Sequence, residues 1–159
     1  MTVSIQAQTA PEEGFTIDRT AHTLRFVRHL DAPREWVFEA WTTPEQLTAW
    51  WDASGERLSA CEVDLRVGGS FRFVSPSHAH MPFTGTYLTI VPPELLEFRA
   101  MDALGRVLLE EADGGSRMTV EIVCNSAEHL EHYVRLGVAH GTGKTCDNIV
   151  AFIAARTAP

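Results

Sequence analysis

Residues 61–73, CEVDLRVGGSFRF, decide how the chain is read. Glu62, Asp64 and Arg66 alternate with Val63, Leu65 and Val67. A period of two marks an extended segment with two different faces. Gly68-Gly69 breaks the pattern and supplies the positive φ angles that a hairpin turn needs. Phe71 and Phe73 then restart an alternating strand, with Ser70, Arg72 and Val74 on its other face. The stretch predicts a β-hairpin. If Phe71 and Phe73 point inward, Arg72 points out.

More strands follow with turn-formers between them. The pattern predicts strands over 57–65, 70–75, 82–91, 95–101, 107–111 and 118–125. The separators are Gly68-Gly69, Pro76 with Ser77, Pro92-Pro93, Gly105 and Asp113-Gly114-Gly115. Consecutive strands at roughly ten-residue spacing indicate an antiparallel meander. One alternating set is apolar in several of them: Leu96 and Phe98; Met118, Val120 and Ile122. One sheet face is therefore core.

Upstream, 20–30 predicts a first strand, with a bulge where the alternation of Leu24, Phe26, Val27 and Leu30 slips. Residues 1–18 are polar, with Pro11 and Gly14, and are expected to be a flexible tail, or at most a strand extension near Phe15 and Ile17. Asp31-Ala32-Pro33 predicts a helix start, with Asp31 as cap. Thr43-Pro44 with Gln46 has the spacing of a capping box for a second short helix. That helix ends in Trp50-Trp51. Adjacent helical residues cannot both face one core, so one of the pair is expected near a rim.

Downstream, Leu130, Val134, Val138, Ile149, Val150, Phe152 and Ile153 recur at mostly helical steps over 126–156. A break is expected near Gly141–Gly143, since interior glycine costs about 1 kcal/mol. One long helix and one curved sheet make an α+β domain, expected over 19–157. The sheet buries its apolar face only by wrapping the helix, and a gap between them is a candidate cavity.

Composition narrows the function classes. With 13 basic and 21 acidic side chains in 159 residues, the formal charge is −8. That opposes binding to nucleic acid or to an anionic membrane surface. Three scattered cysteines, Cys61, Cys124 and Cys146, without a C-x-x-C pair, fit a reducing compartment. With no signal-like N-terminus and no apolar run of about 20 residues, a cytoplasmic location is expected. No metal or cofactor is expected. His78 and His80 share one side of an extended loop, and His129 and His132 are three apart on a helix, but neither pair has a third ligand at familiar spacing. GVAHGTGKT, residues 137–145, imitates a phosphate loop. G-x-x-x-x-G-K-[ST] needs glycine where Val138 stands, and the segment lies within helical periodicity. Glu110 and Glu111 are adjacent, so only one could enter a cavity.

Four motifs carry a resemblance: APREWVFEAW (32–41), PEQLTAWW (44–51), DLRVGG (64–69) and GTYLTIVPPELL (85–96). The chain resembles, over 24–155, bacterial proteins related to the C-terminal domain of the heat-shock-protein-90 ATPase activator, in the START-like (SRPBCC) superfamily. The resemblance implies a helix-grip fold, β-α-α-β6-α, with a deep cavity between sheet and long helix. It does not imply one activity, because relatives include carriers, receptors, cyclases and chaperone activators. Relatives often carry Trp after the glycine matching Gly141. Here Thr142 stands there, which would leave the cavity roomier or more polar.

The expected function is binding of a small apolar, aromatic or lipid-like molecule. Trp51, Phe73, Phe83, Tyr87, Phe98 and Met118 are the expected walls, and His80, Glu110 and His140 the polar lining. Two other classes stay open. A cyclase or hydrolase would use a cavity His or Glu as acid or base. A chaperone-associated interaction module would work through its outer surface and have a filled interior. A homodimer is compatible with the sequence.

Overall fold

The computed structural model describes residues 14–157, and over them eight strands form one antiparallel sheet. In chain order the elements are β1 (Thr16–Asp18), β2 (Thr23–Leu30), α1 (Arg34–Thr42), α2 (Pro44–Trp50), β3 (Ala60–Val63), β4 (Ser70–Val74), β5 (Phe83–Val91), β6 (Leu95–Ala100), β7 (Ala103–Ala112), β8 (Gly115–Val123), α3 (Ala127–Arg135) and α4 (Val138–Thr157). The strands lie in the order β1-β2-β8-β7-β6-β5-β4-β3. The curved sheet grips α4, as a helix-grip fold requires. Most of the expected flexible tail lies outside the described residues. Its end does not: Thr16 and Asp18 pair with Arg25 and Thr23, so the alternative of a strand extension describes 16–18.

The inner sheet face is the core. Phe26, Leu30, Val107, Leu109 and Met118 are buried on it, and α4 lays Cys146, Ile149 and Ile153 against it at steps of three and four. Helical spacing on one side and a period of two on the other thus meet in one apolar layer.

The hairpin at 61–73 forms with Cys61 opposite Phe73 and Val63 opposite Phe71. Its first strand is shorter than expected. β3 ends at Val63, and 64–69 is a loop in which Leu65 and Val67 are exposed. Main-chain bonds decide this: the Gly68 N–H donates to the Tyr87 carbonyl, and the Tyr87 N–H to that of Gly69. The loop is stitched to β5 instead of continuing β3. Gly68 has φ +86°, and a Cβ on Gly69 would strike the Asp64 carbonyl.

Four local expectations are corrected. β2 has no bulge; it pairs in continuous register with β8 from Thr23↔Val123 to Leu30↔Ser116. The alternation slips because Arg28 takes an inward position and Val27 lies outside, 49% exposed. Arg28 reaches α4, donating to Asp147 at 2.8 Å and to the Gly143 carbonyl at 3.2 Å. The register shift in the sheet falls between Tyr87 and Thr89 in β5.

Gly105 is not a separator. β7 begins at Ala103 and runs through Gly105, and the turn before it is the two-residue loop Met101-Asp102, with φ of 53° and 64°. The C-terminal helix breaks at Gly137, φ +81°, and continues unbroken through Gly141 and Gly143. A left-handed residue ends a helix, whereas a glycine in right-handed conformation only weakens it. Neither short helix receives the expected side-chain cap. Pro33 occupies the N-cap of α1, and Thr43 caps α2 through its main chain only.

Candidate functional site

A cavity of about 130 Å³ lies between the inner sheet face and α4. Each wall has a different origin. From α1 and the end of α2 come Trp41 and Trp51. Strands β5 and β6 supply Phe83 and Phe98. The floor on β7 and β8 is made of Ala103, Gly105, Val120 and Ile122. Val138, Thr142, Thr145 and Cys146 of α4 form the roof, and Tyr133 of α3 and Met101 close one side. Met101, 58% exposed, is the most exposed of the lining residues.

Trp41 and Trp50 are held by hydrogen bonds at their ring edges, so their faces are free for apolar contact. Trp41 Nε1 donates to Met118 Sδ at 3.3 Å, and Trp50 Nε1 to the Ala40 carbonyl at 3.0 Å. Trp50 is buried, whereas Trp51 is half-buried on the cavity wall. Two α4 side chains fix the backbone around Trp51. Asn148 Nδ2 donates to the Trp50 and Asp52 carbonyls at 3.3 and 2.9 Å, and Thr145 Oγ1 to the Trp51 carbonyl at 3.2 Å. Trp51 packs edge-on against Phe73, centroids 5.0 Å apart, and tilted on Phe83 at 5.1 Å.

Trp51, Phe83 and Phe98, three of the expected walls, meet at the cavity. Phe73 and Tyr87 do not line it. They pack with Phe71 and Leu96 around a neighbouring void of about 10 Å³, the lower limit for one water molecule. Met118 is fully buried behind Trp41. The expected polar lining is elsewhere. His80 is exposed in the loop after β4, and His140 is exposed on the solvent side of α4. Two residues beyond Val138, about 200° around the helix, it falls off the Val138–Thr142–Thr145–Cys146 face. Glu110 is exposed at the far end of β7, ion-paired with Arg117 at 3.2 Å, and Glu111 stands 3.9 Å from Arg34. Neither glutamate enters the cavity, because β7 has passed beyond the core by residue 110.

The α4 contribution follows a helical stripe that the sequence itself carries. Val138, Thr142, Thr145 and Cys146 stand at i, i+4, i+7 and i+8, one helical face. Thr142 lies where the comparison of motifs expected extra room. Trp41 and Tyr133 carried no local signal, since an aromatic on a helix is ordinarily core.

The electrostatics of the cavity are neutral. Glu121 borders it, but Val120 and Ile122 point inward, so the Glu121 side chain lies on the outer face. There it accepts from Arg25 at 2.7 Å and Arg106 at 2.9 Å. Burial pushes the Cys146 thiol up to about 12, so it stays protonated. The Tyr133 hydroxyl donates to the Met101 carbonyl, and burial raises its pKa as well. Among the described residues no group of three His, Cys, Asp or Glu side chains could hold a metal ion. His129 serves the start of α3 instead: its Nδ1 accepts from the Asn125 N–H, and its own N–H donates to Ser126 Oγ. No helix among the described residues is long and apolar enough to cross a membrane.

Solved structures share this architecture. Protein Ms6760 from Mycobacterium smegmatis is 21% identical with TM-score 0.76, covering 89% of this chain and 97% of its own. Protein NE0264 from Nitrosomonas europaea is 24% identical with TM-score 0.74, covering 85% and 96%. The AHSA1-like protein from Aeromonas hydrophila is 22% identical with TM-score 0.70, covering 84% and 93%. At these identities they establish the fold alone. No curated protein matches the chain. Residues 31–154 match the family described as Activator of Hsp90 ATPase homolog 1-like protein, and the chain, a START-like helix-grip domain with an internal cavity, belongs to that family.

Proposed function

We propose that the protein binds a small apolar molecule in the cavity under α4 and performs no chemistry on it. The observation that carries this reading is the character of the walls: rings and aliphatic groups, with no ionised side chain among the described residues reaching inside. Burying such surface is favourable at about 25 cal/mol per Å². A site of this kind holds an apolar guest and rejects a charged one.

An enzymatic reading lacks its acid or base. His80, His140 and Glu110 are at the surface, Cys146 is held protonated, and the Tyr133 hydroxyl is committed to Met101. The interaction-module reading, which the family description invites, expects a filled interior, and the cavity counts against it. Three free cysteines, Cys61, Cys124 and Cys146, fit a reducing compartment.

Native mass spectrometry of the freshly purified protein, set against its denatured mass, tests this reading. A retained small neutral molecule is the expected result. A bare mass, followed by no thermal shift with any member of a panel of aromatics, alcohols, sterols and lipids, would overturn it.

A further inference from the structure

We infer that the ligand of this cavity is a neutral single-ring aromatic molecule with one hydroxyl or carbonyl substituent, its ring among Trp41, Trp51, Phe83 and Phe98 and its polar substituent at Thr142. This rests on the binding reading above and adds size, shape, charge and orientation to it.

Size comes first. The cavity holds about 130 Å³. A dry, apolar protein cavity of about 150 Å³ is the kind that accepts benzene. One six-membered ring is therefore the scale of guest that fits. An acyl chain from a membrane lipid carries several times as much carbon and does not. The lipid-like guests that the fold admits in general are excluded here by volume.

Shape follows from the walls. Phe98 lies over Gly105, and Ala100 and Ala103 flank the same strip, so the β6–β7 part of the floor is flat, with the branched side chains Val120 and Ile122 confined to β8. Trp41, Trp51 and Phe83 stand around it. Trp51 is already edge-on to Trp41, with centroids 6.2 Å apart, and tilted to Phe83. A flat guest completes edge-to-face contacts of the same type, each adding to what burial alone supplies.

Charge is set by what the cavity lacks. Among the described residues no Lys or Arg lines it, and the Glu121 carboxylate is turned to the other face of the sheet. A carboxylate or ammonium on the ligand would be desolvated without a partner. A neutral molecule is required.

Orientation depends on the uncommitted polar groups. The single Thr145 hydroxyl hydrogen is shared between the Trp51 and Gly141 carbonyls, that of Tyr133 goes to the Met101 carbonyl, and Trp41 Nε1–H goes to Met118, so these donors are engaged. Thr142 lines the cavity, and its side chain makes no hydrogen bond among the described residues. It can donate or accept. A phenol, a benzylic alcohol or an aryl ketone satisfies it.

The test is calorimetric titration of the intact protein with phenol, p-cresol, benzene, benzoate and 1-decanol, together with the variants Thr142→Val and Thr142→Trp. Expected are one saturable site for phenol and p-cresol, weaker binding of benzene, and none of benzoate or decanol. Thr142→Val keeps the volume and removes the hydroxyl, so phenol should weaken roughly five-fold with benzene unchanged. Thr142→Trp should fill the cavity and abolish both. Should that variant fail to fold, the phenol-to-benzene ratio in Thr142→Val decides alone. Decanol binding without phenol binding would overturn the single-ring inference and leave the binding reading standing. No binding of any probe, with a bare native mass, would overturn both. Phenol binding with the same affinity in both variants would place the guest elsewhere and overturn the assignment of this site.

Discussion

Phe98 of β6 lies directly across from Gly105 of β7, and its ring occupies the space that any side chain at 105 would need. A Cβ built on Gly105 falls 2.5 Å from Phe98 Cζ. The same pairing recurs between Phe71 of β4 and Gly85 of β5. At Gly85, however, the added carbon also meets the Arg99 carbonyl at 2.5 Å, and backbone does not yield. Gly105→Ala should therefore push the Phe98 ring into the cavity, changing stability by no more than about 1 kcal/mol while impairing ligand binding. Gly85→Ala should cost about 1–3 kcal/mol, since the small void of about 10 Å³ beside Phe71 is far too small to receive its ring. Urea denaturation of the two variants, with a binding assay on the first, checks the contrast. Equal losses of stability would contradict it.

The outer sheet face carries a second prediction. Asp18, Arg25, Glu121, Arg106 and Glu97 form a row of alternating charge across β1, β2, β8, β7 and β6. Burial alone would raise the Glu121 carboxyl, but the bonds from Arg25 and Arg106 outweigh it and hold it below the usual range. Arg106 and then Thr89 do the same for Glu97. Both folded-state values lie under the unfolded one, about 4.3. Their contribution is thus complete above that pH and lost as pH falls through the folded values. In that window the unfolded chain binds more protons, so stability rises with pH. Glu121→Gln should cost about 2 kcal/mol at pH 7. It should also flatten the stability profile below pH 5 in chemical denaturation.

Asn148 joins α4 to the end of α2, and its loss should be felt at Trp51. Asn148→Ala removes donors from the Trp50 and Asp52 carbonyls at a cost of about 1–2 kcal/mol. Trp51 should then move more freely, seen as faster quenching of tryptophan fluorescence by acrylamide. Unchanged quenching would mean that Thr145 and the packing of Phe73 and Phe83 hold Trp51 by themselves.

Tyr133 ties α3 to the turn at the exposed edge of the cavity. Met101 and Asp102 both have positive φ, and the Tyr133 hydroxyl bonds to the Met101 carbonyl. Tyr133→Phe should leave the fold intact and cost about 1 kcal/mol. Amide hydrogen exchange should accelerate over 100–104 and in α3, and not in β2 or β8. Uniform acceleration would instead report global destabilisation.

Much of this architecture is legible along the chain because it is local. Alternation in β4, β6 and β8, helical spacing around Ile149 and Ile153, and a proline at the start of α2 each express a preference within a few residues. The errors fall where a distant partner overrides that preference. Arg28 takes an inward position because Asp147 and the Gly143 carbonyl wait on α4. β3 stops at Val63 because Tyr87 offers the loop main-chain bonds. Gly105 reads as a turn along the chain and is a strand residue beneath a ring.

The amino-acid order alone was enough to determine the α+β class, the antiparallel sheet gripping a C-terminal helix, the family resemblance and the aromatic nature of the cavity. Burial on a sheet face or helix stripe is written in the period of each segment. Which groups face the cavity was decided by the tertiary structure. Cavity polarity depends on where strands end and how helices turn relative to one another, and these follow from contacts between residues far apart in sequence. For that reason Trp51, Phe83, Phe98 and the place of Thr142 beside the cavity could be anticipated, whereas the exclusion of His80, Glu110 and His140 could not.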